Sequence, residues 1–213
     1  MSILHIVVGV IAAYLLGSIP FGYIIGRVFY HKNILEEGSG NIGTTNTFRV
    51  LGPLAGVVTF ILDVLKGVAA SLIANIGGPA PAHWWVLVFG VAAIIGHTYS
   101  VWLGFKGGKA VATSLGLLIV YTPILAVIAL VVFLIMLLIT SMVSLASILA
   151  FMTVLILSML QPDWILFGVV LVLTIFVIYR HRENIKRMHH GNESLVPFGF
   201  MYWVQKDEYK NKK

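Results

Sequence analysis

The sequence predicts an all-α, polytopic integral membrane protein, with seven transmembrane helices and glycine-rich loops on the cytoplasmic side. Three observations lead there. Only 10% of the 213 residues are charged and 59% are hydrophobic, whereas an ordinary soluble domain carries about 25% charged residues. Such a chain cannot wrap its apolar residues in water, so its solvent is lipid. The apolar residues fall into six long runs, at 3–29, 53–76, 83–105, 111–139, 143–160 and 164–179, and Tyr121-Thr122-Pro123 interrupts the fourth. Finally, of the 14 Lys and Arg residues only Lys66 lies inside a run away from its ends.

The first run, at 3–29, begins at the N-terminal end of the sequence. No Lys or Arg precedes the first in residues 1–10, and it is too long for a secretory leader, so it is read as a retained span. Arg27, Lys32 and Arg49 flank the loop that follows, whereas the connection at 77–82 has no basic residue. Lys106 and Lys109 occupy the loop after the third run. Pro123 lacks an amide donor and disfavours helix at Thr122, which divides the fourth run into two short spans. The connection at 161–163 is again free of Lys and Arg, and the basic residues from Arg180 onward end the chain. Basic residues collect in cytoplasmic loops. Six spans would put the two ends of this charge pattern on opposite faces; seven put all of it on one face, with the N-terminus outside. Residues 1–193 are expected to form a single transmembrane domain, and 194–213 a polar, aromatic cytoplasmic tail.

Composition also excludes chemistry. With no cysteine, disulfides, thiolate nucleophiles and Cys-based metal sites are ruled out. A net charge of +6 favours anionic lipid heads or an anionic substrate over nucleic acid, because the charge is not gathered on a soluble module.

Polar residues cluster on the expected cytoplasmic face. The stretch Gly38-Ser39-Gly40-Asn41-Ile42-Gly43-Thr44-Thr45-Asn46-Thr47-Phe48-Arg49 combines glycines, which let successive amides converge on an anion, with hydroxyl and amide side chains. Arg49 adds a forked cation suited to phosphate. A flexible connector capped by Ser and Asn is the plainer reading. Gly104-Phe105-Lys106-Gly107-Gly108-Lys109-Ala110 repeats the design before a helix, whose first amides and dipole favour anions; lysines snorkelling toward lipid heads are the alternative. After the last span, His181, Asn184 and Arg187 step by three and would share a helix face. An orientation signal explains the arginines there, but not the interleaved His and Asn. Asp63 and Lys66, at i,i+3 within a span, read as a structural ion pair. His97 reads as a packing residue, and Ser144 and Ser147 either donate to a ligand or bond back to their own helix.

Basic glycine loops and one His–Asn–Arg face suit an amphiphile with phosphate, or two phosphorylated partners. An enzyme joining a polar phosphate to a lipid chain competes with a transporter of a phosphorylated solute and with a non-catalytic lipid-binding scaffold. A transporter usually keeps its site near the midplane between related halves, and no internal repeat is evident. A scaffold would not require two anion loops. No H-x-x-x-x-D pair, magnesium-holding carboxylate cluster or G-x-S-x-G elbow occurs in the chain.

Four motifs, GSGNIGTTNTFRVLG, LDVLKG, GHTYSVWLGFKGGKAVAT and RHRENIKRMHHGNE, in that order, resemble the bacterial acyl-phosphate:glycerol-3-phosphate acyltransferases over nearly the whole chain. The resemblance implies transfer of a fatty acyl group from acyl phosphate to the sn-1 hydroxyl of glycerol 3-phosphate. The products are lysophosphatidic acid and phosphate, in phospholipid biosynthesis at the bacterial cell membrane. It implies no metal and no cofactor. Carried over residue by residue, it assigns Ser39, Gly40, Asn41, Gly43, Thr45 and Asn46 to acyl phosphate, and Arg49, Lys109, Ser147, His181 and Asn184 to glycerol 3-phosphate. The general base stays open between His181 and the donor's own phosphate, with the phosphate preferred. Membrane lipids, and transiently the soluble enzyme that makes acyl phosphate, are the implied partners. The chain departs from the family pattern at Thr44, where alanine is common, and at Ala110, where glycine is usual. It also lacks a basic residue in Thr140-Ser141-Met142, and its tail is longer.

Overall fold

The computed structural model describes residues 2–76 and 82–211; most of the connection expected at 77–82, and the last two tail lysines, lie outside them. Every regular element among the described residues is helical. In chain order these are α1 (Ile3–Ser18), α2 (Phe21–Phe29), α3 (Thr44–Leu51), α4 (Pro53–Leu72), α5 (Trp85–Thr98), α6 (Val111–Tyr121), α7 (Pro123–Thr140), α8 (Val143–Ser158), α9 (Trp164–Arg180), α10 (Arg182–His189) and α11 (Phe200–Asn211). Short 3-10 turns at Ile73–Asn75 and Val101–Leu103 extend α4 and follow α5.

Three segments, Pro53–Asn75, Trp85–Leu103 and Pro123–Thr140, are long and apolar enough to cross a bilayer alone. The count rises to five with the pairs α1–α2 and α9–α10, bent by 43° and 57°. The apolar helices α6 and α8 are shorter. Together these segments occupy the seven stretches anticipated from the sequence, including the division at Pro123, which opens α7 where α6 has ended at Tyr121. At 1.5 Å per residue α6 is only about 16 Å long, roughly half the hydrocarbon thickness.

The chain divides into two compact units, one ending at Pro123 and the other beginning at Ile124. In the first, α1 lies along α5 and α4 lies along α6. Small residues permit both approaches. A Cβ on Gly17 would strike the backbone of Ala93, and one on Gly116 the carbonyl of Val64. Close backbone approach at small residues is how helices associate in lipid, where burying apolar surface gains little. The buried side chains here include Ser18, Thr59, Ser71, Thr98 and Thr113, while large apolar side chains such as Val7, Ile11, Val57 and Ile61 are exposed. Small polar side chains thus share the interior with apolar ones such as Phe89 and Leu87, and the large apolar side chains outside suit a lipid medium.

In the second unit α8 lies beside α9, and α10 follows α9 at its bend. α7 exposes Ile124, Val127, Val131, Leu134, Ile135 and Leu138. The segment after α10 crosses the α7–α8 turn: the Val196 amide donates to the Ser141 carbonyl (2.9 Å), and the Tyr202 amide to Ser141 Oγ (3.1 Å). Val196 is buried in a cluster with Leu137 and Ala146, with Phe198 against it.

Candidate active site

The first glycine-rich loop is a built object with an apolar underside. Ile34 and Ile42 are buried with Ile25, Leu51 and Ala55, which anchors the loop between α2 and α3. Gly38 and Gly40 have φ of 62° and 66°, the left-handed region that glycine enters without steric cost. Asn46, 2% exposed, stands in the first turn of α3 and knits the loop. Its Oδ1 accepts from the Ser39 amide at 2.8 Å. Its Nδ2 donates to the carbonyls of Ile34 (2.9 Å) and Glu37 (3.1 Å). Asn41 Oδ1 accepts from the Gly43 amide at 2.9 Å, fixing the turn that leads into the helix. The Gly43 carbonyl then accepts from the amides of Asn46 and Thr47. The amides of Thr44 and Thr45 come before these, as first-turn donors that a helix does not pair internally. Thr45 and Arg49, at i,i+4 on α3, share a face, and Arg49 is exposed.

Of the residues expected to hold acyl phosphate, this loop brings together Ser39, Gly40, Asn41, Gly43, Thr45 and Asn46. They fall into two kinds. The side chains of Asn41 and Asn46 are engaged in shaping the loop, whereas Ser39, with an exposed side chain, and Thr45 stand at its open side.

The second loop wraps the end of α5. The Phe105 amide donates to the Ser100 carbonyl (2.8 Å) and the Gly108 amide to the His97 carbonyl (3.0 Å). A Cβ on Gly107 would strike the carbonyls of His97 and Thr98, and one on Gly108 the His97 ring. The glycine pair therefore lies directly on α5 and delivers the half-buried Lys109 to the start of α6. Ala110, the position where family members usually carry glycine, has φ 68°. Alanine thus adopts the left-handed conformation here, at a cost of about 1–2 kcal/mol, which burial of its methyl partly offsets.

The second unit holds the remaining candidates. His181, 3% exposed, is the residue at the bend between α9 and α10. Its Nδ1 lies 2.8 Å from the Val177 carbonyl. A carbonyl has no proton to give, so Nδ1 is the donor and the neutral ring carries its lone pair on Nε2. Ser147 donates to the Val143 carbonyl of its own helix (2.7 Å), the back-bonding alternative raised by its sequence. Asn184 donates from Nδ2 to Glu193 Oε1 at 2.6 Å.

Glu193 is the residue to which sequence reasoning gave no role. Its Oε1 also accepts from Ser144 Oγ at 2.7 Å, and its Oε2 from Arg187 Nε at 2.8 Å. Gly191, with φ 69°, turns the chain back after α10, and the Asn192 amide closes that turn on the Arg187 carbonyl (2.8 Å). The side chain of Glu193 is 4% exposed. Burial pushes its carboxyl up, but the hydrogen bonds from Asn184, Ser144 and Arg187, with the Arg187 charge, outweigh that and hold it below the ordinary carboxylate value. The signal was present in the sequence as a lone carboxylate two residues after a glycine, at the end of a basic helix.

Fold and sites together define a polytopic membrane protein built to handle anions: glycine loops armed with Arg49 and Lys109, and a histidine–asparagine pair backed by one carboxylate. More specifically, the chain belongs to the glycerol-3-phosphate acyltransferase family, whose model matches residues 7–191. It is similar to the glycerol-3-phosphate acyltransferase of Latilactobacillus sakei, at 52% identity over 203 residues, covering 95% of this chain and 96% of that protein. It is 49% identical to the one from Levilactobacillus brevis over 199 residues, covering 90% and 94%. Among solved structures it resembles PlsY (YgiH), described as an integral membrane glycerol 3-phosphate acyltransferase, in its glycerol 3-phosphate form. The TM-score is 0.82 at 39% identity, over 90% of this chain and 95% of that one. The lysophosphatidic acid form of the same protein gives a TM-score of 0.78.

Proposed function

We propose that this protein transfers a fatty acyl group from acyl phosphate to the sn-1 hydroxyl of glycerol 3-phosphate, yielding lysophosphatidic acid and inorganic phosphate. The observation that carries the reading is the first loop, shaped from within by Asn46 and opening onto Thr44, Thr45 and Arg49, in a chain of this family. Acyl phosphate is a mixed anhydride with a good leaving group. The hydroxyl oxygen attacks the acyl carbonyl, the new ester bond forms, the bond from acyl carbon to phosphate oxygen breaks, and phosphate leaves with the hydroxyl proton.

The difficulty is to bring two anions together, which calls for positioning and electrostatic stabilisation rather than strong acid catalysis. Loop amides and the hydroxyls of Ser39 and Thr45 would receive the donor phosphate. Asn41 and Asn46 would act by holding those amides in place, and Gly40 and Gly43 by letting the backbone approach. Arg49, Lys109, Ser147, His181 and Asn184 are assigned to glycerol 3-phosphate. The donor phosphate is the preferred proton acceptor. The Nδ1 atom of His181 is oriented by the Val177 carbonyl, a neutral group that gives little help to an imidazolium.

Seven spans with the N-terminus outside and the C-terminus cytoplasmic belong to the same proposal, supported by the basic residues, as does transient contact with the soluble enzyme that makes acyl phosphate. A cysteine placed at Ser2 is expected to react with an impermeant reagent added to whole cells; protection there, with reaction in inverted vesicles, would reverse the orientation. The donor is tested with purified protein in detergent, offered palmitoyl phosphate, palmitoyl-CoA or palmitoylated acyl carrier protein with glycerol 3-phosphate. Turnover is expected with palmitoyl phosphate alone. Equal use of the thioesters would overturn the donor assignment.

A further inference from the structure

Two charges in the first unit lie deeper than any the proposed reaction uses. Lys66 Nζ is 2.7 Å from Asp63 Oδ1, with side chains 2% and 3% exposed. An ion pair inside a membrane helix is expensive, and an apolar pair of the same volume is often as stable. Bracing of one helix is therefore a weak reason for it. The surrounding geometry supplies a stronger one.

On one side Lys66 Nζ donates to the Ile19 carbonyl at 2.7 Å and stands 5.6 Å over the Phe21 ring. These residues bracket Pro20, where α1 breaks into α2 and its last carbonyls lose their helical partners. Ser100 Oγ takes the neighbouring Ser18 carbonyl at 2.6 Å. The direction of α2 is thus set from α4 and from the segment after α5. In turn α2 is the floor of the first loop. A Cβ on Gly22 would strike the Ile42 carbonyl and Thr47 Oγ1, and Ile25 is buried with Ile34 and Ile42. On the other side His97 Nδ1 is 3.7 Å from Asp63 Oδ1. The same histidine accepts the Gly108 amide at its carbonyl and lays its ring against Gly108, one residue before Lys109.

We propose that Asp63, Lys66 and His97 form a positioning core that fixes both glycine-rich loops at once. Asp63 and Lys66 are then positioning residues for the two anion sites together, each reached through one neighbour: the α1–α2 break on the Lys66 side, His97 on the Asp63 side. The functional meaning rests on the acyltransferase reading; the mechanical coupling does not.

The test is amide hydrogen exchange on the full-length protein in detergent, wild type against Lys66→Met. Amides at 38–43 and at 105–109 are expected to exchange faster together, by about tenfold, while those of α6, α8 and α9 keep their protection. Acceleration confined to one loop, spread evenly through the first unit, or absent would overturn the proposal. Kinetics give the second measure. KM for both acyl phosphate and glycerol 3-phosphate is expected to rise together, with kcat much less affected; unchanged KM values would likewise overturn it. Should Lys66→Met not fold, Asp63→Asn/Lys66→Met leaves no orphaned charge, and wild-type exchange in both loops of that variant is the refuting result. A wild-type protein without turnover would remove the acyltransferase reading and leave the exchange data to decide the coupling.

Discussion

Asn46 shows why residue type alone does not reveal a role. An asparagine in a Gly/Ser/Thr loop looks the same whether it binds phosphate or builds the loop that does. Here its three hydrogen bonds run to the backbone at Ser39, Ile34 and Glu37. Asn46→Ala strands two carbonyls and one amide, and is expected to cost about 2–4 kcal/mol, seen as a lower Tm in detergent with a raised KM for acyl phosphate. Asn46→Asp keeps the acceptor but turns a buried carboxylate oxygen onto the Ile34 and Glu37 carbonyls, so at neutral pH it should cost at least as much as Asn46→Ala. If both variants keep the wild-type Tm, the loop does not depend on this residue. Glu193 is the complementary case, a residue whose weight comes from partners distant in sequence. Glu193→Ala leaves Ser144, Asn184 and Arg187 without their shared acceptor, and is expected to cost about 2–3 kcal/mol. Its folded carboxyl titrates below the ordinary value. Its contribution is therefore complete above that ordinary value and is lost as pH falls through the lowered one. Glu193→Gln should flatten the acid limb of the stability–pH curve; an unchanged limb would remove Glu193 as its source.

Among elements, the break at Pro123 was the most legible feature in the sequence and the close approaches the least. Pro123 announces the end of α6 through its missing donor and its effect on Thr122. At the α1–α2 bend stands Pro20, but the apolar run continues across it, and the single span expected at 3–29 is bent there by 43°. The bend at His181 has no proline and could not be read from the sequence. The partners of the packing glycines were equally invisible, because nothing in LDVLKG says that Gly67 meets α6. Gly116→Val is expected to destabilise by about 3 kcal/mol or to prevent folding, since its Cβ would meet the Val64 carbonyl and the Val68 amide. Gly168 has open space around it inside α9, so Gly168→Ala should leave stability unchanged or raise it by up to about 1 kcal/mol. Equal effects at the two sites would contradict the α4–α6 contact. The segment after Glu193 reads as a tail by composition, yet two amides in it bond Ser141. That docking depends on Ser141 adopting φ 55°, which no side-chain pattern signals.

For the whole molecule, hydropathy and the distribution of Lys and Arg were enough to give membrane residence, an all-helical chain and the placing of polar chemistry in loops. They could not give the division of the chain into two compact units at Pro123, which depends on tertiary contacts. The order of four motifs gave the family, and the match over residues 7–191 bears that out. On the reading proposed above, a membrane protein that grips two anionic reactants through glycine loops couples cleavage of one to acylation of the other, and that is the claim to test. The most direct measurement is the amount of inorganic phosphate released from palmitoyl phosphate, against lysophosphatidic acid formed, by the purified protein with and without glycerol 3-phosphate. Equal amounts of both products, and none without the acceptor, are expected. Phosphate released at the same rate when glycerol 3-phosphate is withheld would contradict the claim.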